Sequence, residues 1–380
     1  MRRALALALL GCGATARAVE PATPSDGGQP KPNNVGHYNA PYVELPVSLW
    51  AESTYSPQAP SLPLEPRETA LLEACGHSDA ALARTAKEAP LEVEPILRAL
   101  GSPAVRPRVI TVKGTSSDTA LKKRLTELRT PNTRCGLFTS GDVTTIVSAE
   151  HLADLDPLPV RSRTGTWHTL DATLNVPATS AKVLVLGPRG APKTYPTTIE
   201  TKSGLRRVHA RFALDSPGEF TVQVLADVEG GPRPLLEARM FADVPPSQLL
   251  QRAPGEDESS LELMVAAVRT EENLGKLVRD PRLDALAAAH VERMKTSGRV
   301  AHDVGDGDLA ERFQAEGYVA AVIGENVARG ETLALAHRAL YASPSHRANL
   351  MNVQYTRIGV ASSKDGPRVW VCEVFSSDLR

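Results

Sequence analysis

Two short stretches near the C-terminus carry the residue types that acid–base or metal chemistry needs. IGENVARG places Glu325 between two residues of high turn propensity, and SPSHRANLMN places His346 just after a serine–proline pair. A third candidate, His302, stands in AHDVGDG. Two neutral imidazoles and a carboxylate are good ligands for zinc or a similar divalent ion. They can equally hold a water molecule between a histidine base and a glutamate.

Spacing alone does not join these three residues, because only the fold could bring them together, unlike an H-E-x-x-H motif on one helix. Two of them also have a structural alternative: Glu325 could accept from backbone N–H groups in a loop, and His346 could bond a backbone carbonyl. The sequence shows no nucleophile elbow or Gly-rich phosphate loop. Ser345 adjoins His346, but adjacent helix residues point apart and cannot form a dyad. Binding is therefore favoured over catalysis.

Several other polar residues fit structural roles better than chemical ones. Asn326 and Asn349 are short amides suited to bonding backbone in loops, and Ser343 is suited to a helix N-cap. His290 lies on the apolar face of a predicted helix, where a satisfied core histidine is the expected role. Two lone histidines in predicted strands, His168 and His209, are interpreted as surface or core residues.

The elements that must position the candidates occupy residues 260–380. Ser259-x-x-Glu262 predicts a capping box, and Asp280-Pro281 predicts a helix start before RLDALAAAHVERM. DLAERFQAEG, TLALAHRALYA (capped by Thr332) and SPSHRANLM are predicted helices. YTRIGVAS and PRVWVCEVF are predicted strands joined by a turn.

Taken in order, DPRLDALAAAHVERM, AHDVGDGDLAERFQAEGY, GENVARG, SPSHRANLMN, YTRIGVAS and WVCEVF resemble the bacterial branch of the CAP superfamily. That superfamily unites cysteine-rich secretory proteins, antigen 5 and plant pathogenesis-related proteins. The resemblance covers residues 260–380 and implies an α-β-α sandwich with a cleft of histidine and glutamate. Position by position it implies that His302, Glu325 and His346 line this cleft, as metal ligands or, in the alternative, as catalytic residues.

Two departures from the family pattern make the implied cleft incomplete. Animal and plant members carry a second glutamate seven residues after the first histidine, where this chain has Leu309, and Glu311 is two residues further on. The tryptophan usual before the S-P element is replaced by Leu340, which predicts an altered cleft wall.

The rest of the chain divides by composition. Residues 160–245 show six alternating apolar–polar segments between turns, which predicts an immunoglobulin-like β-sandwich without a site of its own. Residues 246–259 are interpreted as a linker. Residues 67–158 predict a small α/β domain, and residues 19–66, with ten prolines, a Pro-rich tether. The expected fold class is thus multidomain: small α/β domain, β-sandwich and CAP-like domain.

A sequence similarity within the chain links the first and last of these domains. NTRCGLFTSGD followed by VTTIVSA parallels YTRIGVASSKDG followed by VWVCEVF, and SDAALARTAKEA parallels RDPRLDALAAAH. Residues 67–158 are therefore hypothesised to be a degenerate CAP-like copy without the site residues; chance likeness of helix–hairpin segments is the alternative.

The N-terminus and the cysteines predict export. Arg2 and Arg3 precede a short apolar run, so residues 1–18 are interpreted as a signal peptide. LLGC is typical of a lipobox that would acylate Cys12, whereas Ala16-Arg17-Ala18 would release a soluble chain. A Cys75–Cys135 disulfide is expected outside the cytoplasm, while Cys372 fits a buried thiol.

Composition narrows the function classes further. Hydrophobic residues make up 42% and charged residues 23%, the formal net charge is −1, and aromatic residues are only 4%. These values give no basis for nucleic-acid binding. The expected function is an exported cell-envelope module, a periplasmic or outer-membrane lipoprotein or an extracellular protein, that binds a small molecule, lipid or envelope ligand, or a metal such as zinc. Membrane contact is expected only through the lipid anchor. The alternative is a metal-dependent hydrolase.

Overall fold

Three regions, two of them mixed α/β and one all-β, follow one another along the chain in the computed structural model. It describes residues 54–55, 65–88, 93–115, 118–202, 204–229, 231–246 and 252–380, all within one compact unit, Tyr42–Arg380. The predicted signal peptide, Cys12 and nearly all of the Pro-rich tether lie outside the described residues. None of the described helices is long and apolar enough to cross a membrane.

The first region contains four helices and a four-stranded sheet. After the short strand β1 (Thr54–Tyr55), its elements are α1 (Pro66–Cys75), β2 (His77–Ser78), α2 (Ala80–Glu88), α3 (Val93–Ala99), β3 (Val105–Lys113), α4 (Asp118–Leu128), β4 (Thr133–Ser140) and β5 (Val143–Glu150). The sheet order is β2-β4-β5-β3. The sequence patterns did not predict α3 and α4, whose apolar stripes are short.

The predicted disulfide is present. Cys75 at the end of α1 is bonded to Cys135 on β4, with Cα atoms 6.2 Å apart, and both cysteines are buried. Cys372 is a buried free thiol, as predicted.

The middle region consists of strands alone. They are β6 (Ala153–Leu155), β7 (Leu158–Pro159), β8 (Arg161–Ser162), β9 (Trp167–Leu174), β10 (Ser180–Leu186), β11 (Lys193–Tyr195), β12 (Thr197–Lys202), β13 (Leu205–Ala213), β14 (Gly218–Val228) and β15 (Gly231–Ala242). Two sheets, β11-β10-β14-β15-β8 and β12-β13-β9-β6, share one apolar core. Pro196 divides the predicted strand TYPTTIET between the two sheets. Two packed sheets are what the sequence predicted; their immunoglobulin-like topology stays a prediction.

The C-terminal region alternates helices and strands as the sequence predicted. Its elements are α5 (Leu261–Glu271), β16 (Val278–Arg279), α6 (Pro281–Ser297), α7 (Leu309–Ala315), β17 (Ile323–Gly330), α8 (Leu333–Ala342), α9 (Pro344–Leu350), β18 (Arg357–Asp365) and β19 (Arg368–Ser376). Asp280 caps α6 and Thr332 caps α8, as expected. The cap of α5 is Ser260 rather than Ser259, because Ser260 Oγ accepts from Leu263 N.

Helices cover both faces of the C-terminal sheet, whose order is β16-β18-β19-β17. On one face, residues of α6 and α7 pack on alternate residues of β19 such as Trp370 and Cys372. On the other face, α5, α8 and α9 pack on the intervening residues such as Val371 and Phe375. The period of two along β17 therefore sends Glu325 to the α6–α7 face and Asn326 to the opposite face. This is the predicted α-β-α arrangement.

The first and third regions share one topology. In each, a short strand lies parallel to the first strand of a C-terminal hairpin, and the hairpin's second strand pairs antiparallel with an edge strand, β3 or β17. Gly136 and Gly359 occupy equivalent places, where an added β-carbon would overlap the backbone of α2 or α6. The duplication remains a hypothesis, and this shared pairing is the observation that favours it.

Candidate functional site

Glu325 and His302 form the centre of the candidate site. Glu325 lies on the edge strand β17 with only 2% of its side chain exposed. His302 follows α6 in the loop before α7, and its side chain is 25% exposed. Its Nδ1 lies 2.8 Å from Glu325 Oε1. A carboxylate accepts, so Nδ1 carries the proton and donates, which turns the Nε2 edge of the ring away from the glutamate.

The other carboxylate oxygen of Glu325, Oε2, has contacts as well. Arg312 on α7 donates from Nη2 to Oε2 at 2.8 Å, and the buried thiol of Cys372 lies 3.6 Å from the same oxygen. Burial acts to raise the pKa of Glu325, but the hydrogen bond and charge of His302 and the charges of Arg312 and His290 outweigh it and hold the pKa at about 2. Glu325 is therefore an ionised, fully bonded carboxylate rather than a proton donor.

Arg312 also holds the loop that carries His302. Its guanidinium donates to the carbonyl of His302 at 3.1 Å and to the carbonyl of Gly307 at 3.3 Å. One side chain thus fixes both the carboxylate and the backbone of its histidine partner.

Behind Glu325 lies a second, fully buried histidine, as predicted for His290. Its Nδ1 lies 2.8 Å from Asp306 Oδ2 and its Nε2 lies 3.0 Å from the carbonyl of Ala301. Each ring nitrogen of His290 therefore has a partner, and the ring is fixed in one orientation. Glu325 Oε1 is 3.9 Å from His290 Nε2.

His346 approaches the edge of the sheet from the other side. It lies in the first turn of α9, partly buried, and its Nδ1 is enclosed without a hydrogen-bond partner among the described residues. Burial lowers its pKa to about 4, assisted by the charges of His302 and Arg106 and opposed by Glu237. With a pKa of about 4, His346 is neutral at physiological pH.

Asn326 and Asn349 tie α9 to the edge strand. Asn349 Nδ2 donates to the carbonyl of Glu325 at 3.0 Å and to Asn326 Oδ1 at 2.9 Å. Asn326 Nδ2 donates to the carbonyl of His346 at 3.2 Å and to Glu373 Oε2 at 3.0 Å. The predicted backbone-bonding role of both asparagines is confirmed, and it sets the position of His346 relative to Glu325.

Glu373 on β19 was not singled out by the sequence patterns. It is completely buried, its Oε1 has no partner within the described part of the chain, and burial raises its pKa to about 7 despite the bond from Asn326. Its position inside an apolar strand pattern, WVCEVF, was the signal that could have identified it.

The β-strand region borders the cleft. Gln223 on β14 donates to Ser343 Oγ at 3.2 Å and accepts from the backbone N–H of Ser345 at 3.1 Å. A β-carbon placed on Gly231, at the start of β15, would lie 3.7 Å from the Cβ of His302. Ser343 is the N-cap residue of α9, as predicted, but its hydroxyl accepts from Gln223 and makes no capping bond with the helix backbone.

The structure shows where the residues at the two departures from the family pattern lie. Leu309 packs at the margin of the α6–α7 core. Glu311 is exposed and closes a capping box with Asp308, so it is not a cleft residue. Leu340 is a buried core residue of α8. Arg312, which sequence reasoning missed, is the α7 residue that reaches Glu325.

The side chains fit the predicted metal only in part. Glu325, the predicted carboxylate ligand, already accepts from His302 and Arg312. Within the described ranges no group of three or more His, Cys, Asp or Glu side chains is arranged to hold a metal ion. His346 Nδ1 is left without a partner in that part of the chain, and His302 Nε2 faces away from Glu325. Zinc therefore stays a prediction, and no step of the function depends on it.

Comparison with known proteins gives a family for the C-terminal region. Residues 263–374 match the sequence model of CAP, the cysteine-rich secretory protein family. Solved structures similar to this chain include an outer surface protein from Borrelia burgdorferi, 21% identical, covering 34% of this chain and 98% of that one, with a TM-score of 0.30. Another is an extracellular protein with an SCP domain from Bacillus anthracis, 16% identical, covering 55% and 82%, also with a TM-score of 0.30. No curated protein matches significantly.

The helices on both faces of the sheet, the glutamate on the edge strand and the match to the family model all indicate the same class of domain. Residues 263–374 form a CAP domain, and the resemblance inferred from the sequence is confirmed. The domain occupies the C-terminal part of a chain that also carries a β-strand region and a first α/β region.

Proposed function

We propose that this protein is an exported cell-envelope module whose CAP domain binds a ligand through the His302–Glu325 cleft. The single observation that carries the proposal is the hydrogen bond between His302 Nδ1 and Glu325 Oε1, at 2.8 Å. It fixes one tautomer and one orientation of a partly exposed imidazole before any ligand arrives, and such preorganisation lowers the entropic cost of binding.

The chemistry of Glu325 favours binding over catalysis. A carboxylate with a pKa of about 2 holds no proton to donate at neutral pH and is a weak base. Both of its oxygens are occupied. Ser345 carries the hydroxyl nearest His346 in sequence, and this hydroxyl bonds Ser343 Oγ, while the backbone N–H of Ser345 donates to Gln223. Glu325 and Arg312 therefore act as the support of His302.

Export rests on the disulfide and the N-terminal pattern. A buried disulfide such as Cys75–Cys135 forms and persists in oxidising compartments. The basic and apolar residues 2–10 are typical of a secretory signal. The choice between a lipoprotein acylated at Cys12 and a soluble secreted protein belongs to the same proposal.

Metal binding is the second candidate, favoured by one observation. A carboxylate bonded to Nδ1 of a histidine is the usual support of a metal-ligating imidazole, and His302 has this arrangement. In that case His302 and His346 would be the ligands and Glu325 would orient His302. Activation of a metal-bound water would then be the route to a hydrolase.

Equilibrium binding to the full exported chain tests both candidates. The probes are zinc chloride, soluble peptidoglycan fragments and phosphatidylglycerol vesicles, each titrated by calorimetry into wild type, His302→Gln and Glu325→Gln. We expect saturable binding of one probe, weakened at least tenfold in both variants, because Glu325→Gln lets the His302 ring turn.

His209→Gln is the matched control, since His209 is an exposed strand histidine bonded to Asp171 Oδ1 at 3.0 Å. It should bind as wild type does. If no probe binds, or if wild type, His302→Gln and Glu325→Gln bind a probe equally, the cleft is not the binding site. Turnover of a peptidoglycan fragment that is lost in Glu325→Gln would favour the hydrolase instead.

A further inference from the structure

A pocket of about 600 Å³ opens in the middle region, and we term it the middle-region pocket. It lies between the β10–β11 loop, residues 187–192, and the β13–β14 loop, residues 214–217, and all the described residues that line it belong to the middle region. Pockets that hold small molecules in proteins have volumes of about 300 to 1,000 Å³. The size of the pocket therefore suits a small organic ligand.

The deep part of the pocket is apolar. Phe220 and Val185 line it and are almost completely buried, and Pro188 and Pro217 of the two loops line it as well. A β-carbon placed on Gly187 would lie 3.0 Å from Phe220 Cε1, so the chain passes close to this ring. The apolar body of a ligand would displace water from this surface, which favours binding.

Hydrogen bonds hold the walls of the pocket in place. The hydroxyl of Tyr195 on β11 donates to the carbonyl of Ala213 on β13 at 3.0 Å, and so joins the two sheets beside the pocket. The β10–β11 loop is held from outside, because the backbone N–H of Gly190 donates to Glu272 Oε1 of the CAP domain at 3.2 Å. The pocket is thus formed before a ligand arrives, which lowers the entropic cost of binding.

The charged residues that line the pocket favour an anion. Arg189, Lys193 and Asp215 line it and are all exposed. Lys193 Nζ forms an ion pair with Asp215 Oδ2, and this bond raises the pKa of Lys193. Arg189 forms no ion pair within the described part of the chain. The lining therefore carries one positive charge in excess, on a guanidinium that can bind a carboxylate through two parallel hydrogen bonds.

Few other side chains of the pocket can form hydrogen bonds. The hydroxyl of Tyr195 already bonds Ala213, which leaves Ser216 as the remaining uncharged polar side chain among the described lining residues. A sugar would leave several of its hydroxyl groups without partners here, and a buried polar group without a partner is costly. The lining fits a ligand that is apolar except for one anionic group.

We propose that the middle-region pocket binds an apolar carboxylate, a small molecule with an alkyl or aryl body. The body lies against Phe220 and Val185, and the carboxylate is bound by Arg189 with Lys193 as the second cation. The sequence predicts no site in residues 160–245, because the lining comes from strands and loops that are separated along the chain. The proposal does not depend on what the His302–Glu325 cleft binds.

Decanoate and phenylbutyrate are the probes, and they distinguish an alkyl from an aryl body. Each is titrated by calorimetry into the full exported chain, below the concentration at which decanoate forms micelles. Acetate lacks the apolar body, and decyltrimethylammonium has an alkyl body with the opposite charge. We expect saturable binding of at least one probe and of neither acetate nor decyltrimethylammonium.

Three variants place the binding in the pocket. Arg189→Gln should weaken the bound probe about tenfold, because it removes a charge-assisted pair of hydrogen bonds. Ala191→Trp should abolish binding, because Ala191 is an exposed loop residue that lines the pocket and the larger ring would occupy the space. Arg206→Gln, at an exposed arginine of β13 that does not line the pocket, is the matched control and should bind as wild type does.

Far-ultraviolet circular dichroism confirms that each variant is folded, and a thermal shift by the bound probe gives a second readout of binding. The proposal is overturned if neither probe binds saturably or if decyltrimethylammonium binds equally well. Unchanged affinity in Arg189→Gln or in Ala191→Trp, or an equal loss in Arg206→Gln, would overturn it as well.

Discussion

Glu373→Gln should make the CAP domain more stable at alkaline pH. Glu373 is completely buried on β19, accepts one hydrogen bond from Asn326, and has a pKa raised to about 7 by burial. A glutamate in the unfolded chain ionises near its ordinary value of 4.5. Between these two values the unfolded state releases its proton first, so wild-type stability falls as pH rises from about 4.5 to about 7.

The size of this effect follows from the shift. A change of one pKa unit corresponds to about 1.4 kcal/mol, so the shift from 4.5 to about 7 predicts a loss of about 3 kcal/mol at pH 8. Glutamine has the same shape, keeps the amide oxygen for Asn326 Nδ2 and carries no charge. The variant should therefore gain about 3 kcal/mol over wild type at pH 8 and almost nothing at pH 4.

Urea unfolding at both pH values, followed by far-ultraviolet circular dichroism, measures the difference. The exposed Glu316→Gln controls for loss of one negative charge and should show no such pH dependence. An equal effect of Glu373→Gln at pH 4 and pH 8, or a loss of stability at pH 8, would refute the reasoning that burial destabilises the ionised form of Glu373.

Three further predictions concern the support of the cleft and the stability of the first region. Arg312→Met should lower the unfolding free energy by about 3 kcal/mol, because it leaves the carboxylate of Glu325 buried without its cation; urea unfolding measures this, and a loss below about 1 kcal/mol would contradict it. Reducing the Cys75–Cys135 disulfide should cost about 4 kcal/mol, since it closes a loop of 60 residues; unfolding with and without dithiothreitol gives the value, and an unchanged midpoint would argue against it. Gln223→Ala should speed amide hydrogen exchange at the start of α9, because Gln223 accepts from Ser345 N; unchanged exchange there would show that this contact is dispensable.

The sequence predicted the frame of the CAP domain because its signals are local. Asp280-Pro281 specifies the start of α6, and the caps Asp308 and Thr332 mark the next helices. The alternation along β17 and β19 determines which residues share a face. The order of the motifs, which resembles that of the CAP superfamily, then identified His302 and Glu325. The structure joins these two residues by a hydrogen bond.

The parts that sequence reasoning missed depend on contacts distant in the chain. Arg312 looks like an ordinary surface residue of a short helix until α7 packs beside β17. Gln223 meets Ser343 and Ser345 only because the β-strand region lies against α9. Glu311 has the residue type of the family's second glutamate, but its side chain forms the capping box of α7 instead. Residue type and spacing cannot distinguish such outcomes, whereas packing does.

The protonation of the His302 ring tests the central claim most directly. Nitrogen-15 spectra of the histidine side chains, recorded on the full chain while soluble peptidoglycan fragments, and separately zinc chloride, are added, identify which ring nitrogen carries the proton. We expect a proton on Nδ1 in the free protein and a binding shift confined to Nε2, with both features lost in Glu325→Gln. A proton on Nε2 in the free protein, or a ring unaffected by a probe that binds the chain, would contradict the proposed role of the His302–Glu325 pair.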